Sequence, residues 1–240
     1  MSLLPGPEVE VQDLSAPRGP RGLVPLRMIR PRGVLGPLPA IIYIRGNGWM
    51  VGNTHTHDRL LREMALGAQA AVLLPYACMS SAMAFGDAME DVYAVAQWVL
   101  EQGEDHGLDP GHLVLAGDSI GGNLAAGVSV LAKWRGGPRI AQQLLFYPVK
   151  EDILQATLAE IGGLPPALVI NTETQSLRLE GEALSRKLQE AAGAAPDRRL
   201  QGDIQDLLIL KTLAITAAAR GAVGPATDWL REAWATERSA

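Results

Sequence analysis

The chain has 240 residues, 48% of them hydrophobic and 20% charged, enough to bury one sizeable core. A formal charge of −5 with no basic stripe argues against a nucleic-acid partner, and no apolar run reaches the ~18 residues of a membrane span. Cys78 is the single cysteine, so no internal disulfide can form, and Met1 to Pro5 lacks the basic start and apolar stretch of a signal peptide; a cytoplasmic protein is expected.

Val9 to Val11 and Leu23 to Ile29 read as strands, parted by the turn-rich Ala16-Pro17-Arg18-Gly19-Pro20. Ile41-Ile42-Tyr43-Ile44 is a near-continuous apolar run, the mark of a strand covered on both faces. A glycine-bearing loop over 45–52 leads to a helix through Arg59 to Ala65, and Ala71 to Tyr76 forms the next strand. Asp87 to Gln102 reads as an amphipathic helix with Val92, Ala96, Val99 and Leu100 on one stripe. Leu113 to Ala116 is another buried strand, followed by a long helix through Leu131. Gln143 to Tyr147 and Ala167 to Ile170 are strands, Leu177 to Ala192 is a helix, and Leu207 to Ala219 and Thr227 to Ala235 close the chain as two helices. Strands alternating with helices predict a mostly parallel sheet flanked by helices, in one domain over residues 1–240.

Gly117-Asp118-Ser119-Ile120-Gly121, followed by Gly122, fits G-x-S-x-G. The pattern is short, but a buried strand precedes it and a helix follows, which is the context a nucleophile elbow requires. That turn would hold Ser119 at the carboxyl end of the sheet, where open α/β folds place their ligands. The amide of Ile120 would open the following helix, a natural site for a developing oxyanion.

Several stretches together resemble the hormone-sensitive-lipase-like esterases of the α/β-hydrolase fold. Arg45-Gly46-Asn47-Gly48-Trp49 is similar to the family's HGGGW oxyanion loop, and Thr56-His57-Asp58-Arg59-Leu60 to the start of its next helix. Asp118-Ser119 with Gly121-Gly122-Asn123-Leu124-Ala125 resembles its GDSAGGNLA elbow. Phe146-Tyr147-Pro148-Val149, Leu164 to Ile170 and Leu177-Arg178 with Glu180-Gly181-Glu182-Ala183 extend the likeness over nearly the whole chain. The resemblance implies an α/β-hydrolase fold with Ser119 as nucleophile, backbone amides of Gly46, Asn47, Gly48 and Ile120 around the oxyanion, and no cofactor or metal. It also implies a reduced cap, because the family's N-terminal cap helices have no counterpart and the stretch from Val149 to Leu164 is short.

The departures bear on the chemistry. Gln175 stands where the family's acid is expected, with Ser176 in place of the following proline, and Gln205 stands where the family's histidine is expected. Arg45 replaces the histidine that opens the oxyanion loop, a cation suited to a carboxylate or phosphate of a ligand or to a neighbouring acid. Ile120 replaces a small alanine and is expected to crowd the substrate carbonyl. Glutamine cannot take the proton of a serine hydroxyl. In a serine protease, losing the histidine alone lowers kcat by about 10⁶, roughly 8 kcal/mol of barrier. The chain's four histidines are His55, His57, His106 and His112, so none follows position 112. His55 and Asp206 are the candidates for a relocated base, whereas His57 reads as a structural residue.

Three readings follow. The first is a degenerate family member that binds a small molecule or peptide in the ancestral pocket, with non-hydrolytic chemistry such as isomerisation, epimerisation or cyclisation. The second is a carboxylesterase acting on short-chain esters through Ser119 with a relocated base. The third is a non-catalytic interaction protein, to which the five tryptophans would contribute. A homodimer through C-terminal helices is the assembly that the resemblance allows.

Overall fold

The computed structural model describes residues 9–19, 22–46, 57–76, 84–148, 157–172, 178–192, 197–200 and 217–237. Eight strands form one sheet: β1 (Val9–Gly19), β2 (Gly22–Pro31), β3 (Leu38–Ile44), β4 (Ala71–Pro75), β5 (Leu108–Asp118), β6 (Gln142–Phe146), β7 (Ala167–Thr172) and β8 (Asp197–Leu200). Their spatial order is β1-β2-β4-β3-β5-β6-β7-β8. β1 and β2 make an antiparallel hairpin, β2 pairs antiparallel with β4, and every other pairing is parallel.

The helices are α1 (Asp58–Ala68), α2 (Phe85–Gln102), α3 (Ile120–Arg135), α4 (Leu158–Ile161), α5 (Arg178–Ala192) and α6 (Ala217–Glu237). Alternation along each inner strand divides the core in two. Ile41 and Tyr43 of β3, with Val114 and Leu144, meet Leu60, Leu61 and Met64 of α1 and Leu230 and Trp234 of α6. Ile42 and Ile44, with Leu115 and Leu145, meet Val92 and Val99 of α2, Leu124 and Val128 of α3 and Leu184 of α5. Strands covered on both faces must be apolar at every position, which is why the runs at Ile41–Ile44 and Leu113–Ala116 carry almost no polar residue. Each side chain so buried contributes about 1.5–3 kcal/mol of transfer free energy.

Three features depart from the sequence reading. Ala16 to Gly19 continues β1 instead of forming a turn, with Ala16 opposite Val24 and Gly19 opposite Gly22 across a register shift. Pro17 is tolerated because β1 is the edge strand and needs no second row of hydrogen bonds. Leu100 is 51% exposed, one step around α2 from the buried Val99 and past the margin of the stripe. The closing helices are one continuous element from Ala217 onward, running through Pro225. Gly221 lies one turn before the proline, and Val223, Ala226, Leu230 and Trp234 hold the helix down at helical spacing. The stretch Leu207 to Thr216 lies outside the described residues. Asp197 to Leu200, a short polar stretch, forms the last parallel strand, in register with Val169 to Thr172.

None of the helices among the described residues is long and apolar enough to cross a membrane. Between β6 and β7 the described residues hold one helical turn, α4.

Candidate active site

β5 ends at Asp118 and α3 begins at Ile120, so Ser119 alone makes the turn between them. It does so at φ 54° and ψ −124°, a conformation that side chains other than glycine rarely adopt and that costs of order 1–3 kcal/mol. The surroundings enforce it. The Ser119 amide donates to the Phe146 carbonyl at 2.9 Å, and its own carbonyl accepts from Gly122 at 3.0 Å and from Asn123 at 3.3 Å. A Cβ on Gly121 would collide with the carbonyl oxygen of Ile44, and one on Gly117 with the backbone of Gly121. The two glycines thus let the turn press against the end of β3. Ser119 is 5% exposed.

Asp118 points into a buried network that the motif by itself does not announce. Its Oδ1 accepts from the Tyr43 hydroxyl at 2.9 Å and from the Gly46 amide at 3.0 Å, and His57 Nε2 lies 3.2 Å from the same oxygen. Burial pushes the Asp118 carboxyl upward. The attraction of His57 and the hydrogen bonds from His57, Gly46 and Tyr43 outweigh that, and hold it below the usual aspartate value. Burial raises the Tyr43 phenol well above its ordinary value, and the Asp118 charge adds to this. One carboxylate therefore ties the end of β3, Gly46 just after it and the N-terminus of α1 to the elbow.

The network changes several readings. The Gly46 N–H, expected among the oxyanion donors, donates to Asp118 Oδ1 in this structure. A Cβ on Gly46 would fall on the Asp118 carbonyl oxygen and within 2.9 Å of the Ser119 Cβ, so glycine is required for close approach. Arg45 is 9% exposed; burial lowers its pKa, and the Asp118 charge acts against that shift. Ile120 is half-buried and packs against the α2–α3 side of the core. His57 is buried at the head of α1 as a structural partner of Asp118. Tyr147, also buried, turns at φ 34° just after β6, its amide on the Ile170 carbonyl at 2.7 Å. A Cβ on Gly122 would lie 3.2 Å from the Pro148 Cβ, so the Tyr147-Pro148 corner flanks the elbow.

His106 and His112 lie elsewhere. His106 ends a single 3₁₀ turn (Gly103–His106) with its ring 4.9 Å from that of Trp98. His112 sits within β5, its Nδ1 2.6 Å from Asp109 Oδ2 and its ring edge-on to Trp234. Trp98 and Trp234 are core residues, Trp134 is 63% exposed and Trp229 is half-buried. Asn47, Gly48, Trp49, His55, Gln175, Gln205 and Asp206 lie outside the described residues.

A family model described as alpha/beta hydrolase fold matches residues 41–160, half of the chain. The chain is 34% identical to the carboxylic ester hydrolase LipN of Mycobacterium tuberculosis, over 84% of its own length and 65% of that protein's, so it spans just under two thirds of this relative. It is 29% identical to the carboxylesterase NlhH of the same organism, over 89% of this chain and 80% of the other. The crystal structure of a thermostable esterase from Pseudomonas putida superposes with a TM-score of 0.87 at 31% identity, covering 95% of this chain and 83% of that one.

Proposed function

We propose a function from one premise: this chain belongs to the α/β-hydrolase fold family. Its relatives are carboxylesterases, and we read the chain as a carboxylic ester hydrolase of low turnover that takes short-chain esters over Ser119. The observation that carries this reading is Ser119 itself, held at φ 54° between β5 and α3. Strain of this kind collects at functional sites, and a nucleophile elbow is the strand–turn–helix device that uses it.

An ester carbonyl over the N-terminus of α3 would meet the Ile120 amide, with the Asn47 and Gly48 amides as the further donors that the family resemblance implies. Ser119 Oγ adds to the carbonyl carbon, the alcohol leaves, and water then releases the acid from the acyl-serine. His57 stays with Asp118 and supports the loop. With glutamine at 175 and 205, solvent hydroxide takes the Ser119 proton. The oxyanion donors and binding are worth about 10³–10⁴ over water without a working triad.

The test is hydrolysis of p-nitrophenyl butyrate by the chain and by Ser119→Ala across pH 5 to 9. Slow turnover that the variant loses, rising with pH without a plateau, is expected. A plateau with a midpoint near the ordinary histidine value of about 6.5 would instead assign the base to His55. A double variant, Gln175→Asp with Gln205→His, is expected to gain at least about 10³ in kcat. If Ser119→Ala keeps the full rate and the double variant gains nothing, the hydrolase reading is wrong. The second reading then stands: a pocket that binds a small molecule or peptide without cleaving it, favoured by two glutamines at the acid and base positions.

A further inference from the structure

The end of the sheet opposite the elbow carries a cavity between the β2–β3 connection and the start of β5, with a volume of about 550 Å³. Small-molecule sites span this size. From Leu108 to Ser119 the chain advances roughly 30 Å at about 3.3 Å per residue, so the cavity lies far from the elbow. Val34, Leu35, Pro37 and Leu108 give it an apolar wall. Leu35 is 96% exposed, apolar surface that a guest would take out of water.

Both signs of charge line the same cavity. Arg30, half-buried near the end of β2, turns its guanidinium toward the 3₁₀ turn and gives one N–H to the His106 carbonyl at 3.4 Å. Gly107 makes room for it, since a Cβ there would lie 3.1 Å from a guanidinium nitrogen. Glu10 stands opposite Arg30 across the β1–β2 hairpin but forms no ion pair with it. The exposed Glu104 belongs to the 3₁₀ turn, which its carbonyl closes by accepting from the Gly107 amide at 3.0 Å. Arg30 and Glu104 therefore face one cavity without pairing with each other. Among the described residues Arg30 has no carboxylate partner and Glu104 no cation. Asp109 also lines the cavity, but its oxygens hold the Gly111 amide at 2.9 Å and His112 Nδ1 at 2.6 Å. A guanidinium carries five N–H donors in a planar fork that matches a carboxylate, and the His106 carbonyl takes one of them.

We propose that this cavity binds an α-amino acid with an aliphatic side chain. The carboxylate meets the Arg30 fork, the ammonium meets Glu104, and the side chain lies over Val34 and Leu35. A guest with a carboxylate alone would face Glu104 and Asp109, and a guest with an amine alone would face Arg30. A molecule that carries both charges close together answers both walls.

L-Leucine serves as the probe, titrated calorimetrically into the full chain. Saturable one-to-one binding is expected. 4-Methylpentanoate, which lacks the amine, 3-methylbutylamine, which lacks the carboxylate, and glycine, which lacks the side chain, should each bind at least tenfold more weakly. Arg30→Gln and Glu104→Gln should each weaken L-leucine at least tenfold. Arg32→Gln, at an exposed arginine that does not line the cavity, should leave it unchanged. Glu104 is exposed, so its variant tests the site even if Arg30→Gln fails to fold. No saturable binding, unchanged affinity in a folded variant of either residue, equal binding of the amine-free acid, or an equal loss in Arg32→Gln would overturn the proposal.

Discussion

The two ends of the sheet treat a buried oxygen in opposite ways. At the carboxyl end, Asp118 Oδ1 collects Tyr43, Gly46 and His57. At the amino end, Gln142 Oε1 collects none. A fully satisfied polar cluster fixes geometry, because every alternative arrangement leaves some member unpaired in a low-dielectric interior. An unsatisfied one fixes no geometry and carries a desolvation cost. The contrast separates an end of the sheet that fixes geometry from one that does not.

The sharpest way to break this contrast is Asp118→Ala, which strands Tyr43, Gly46 and His57 together. Removing one partner from a buried charged cluster costs about 3–5 kcal/mol, read as a lower urea midpoint. Gly121→Ala follows, since its Cβ meets the Ile44 carbonyl; a loss of about 1–3 kcal/mol is expected from the same measurement. Tyr43→Phe removes one hydrogen bond to the carboxylate and should cost about 1.5–3 kcal/mol at neutral pH, with less loss in acid. The sign of that pH effect follows from Asp118, whose folded pKa is lowered. Its stabilisation is complete above the ordinary aspartate value of about 3.9 and is lost as pH falls through the lower folded value. Urea midpoints from pH 7 to 2 should therefore fall more steeply for the parent than for Asp118→Asn. The smallest effect expected is a gain: Ser119→Gly relieves the positive φ, offset by the greater freedom of an unfolded glycine, and should raise stability by about 1 kcal/mol or less while abolishing ester hydrolysis.

Much of this was legible in the sequence, and the exceptions are instructive. The inner strands declared themselves because burial on two faces leaves no polar position to obscure the pattern, as at Ile41–Ile44. The elbow declared itself because only a strand–turn–helix context explains Gly117, Ser119 and Gly121 together. Ala16 to Gly19 misled because proline and glycine signal a turn only where the chain needs both rows of hydrogen bonds, and an edge strand does not. Gly221, Gly224 and Pro225 stand in the gap between the two closing segments, yet tertiary packing of Val223, Leu230 and Trp234 carries the helix through. The Asp118 network was hidden because its members are spread from position 43 to 118, and spacing along a chain says nothing about such meetings. A charged residue at the end of an otherwise apolar strand was the available signal. Gln142 offered the same kind of signal, a polar residue opening an apolar strand.

The strain at Ser119 has a bearing on how a protein of this build changes over generations. The turn is locked by Gly117, Gly121, Asp118 and the ends of β3 and β6, so altering it disturbs the fold itself. A base is a single side chain, and exchanging histidine for glutamine takes nothing from that lock. Decay of catalysis should therefore run in one direction, with proton acceptors lost early and the shape of the turn lost last. On the function proposed above, the elbow outlasts its proton acceptors, and Gln175→Asp with Gln205→His is the shortest route to a faster Ser119.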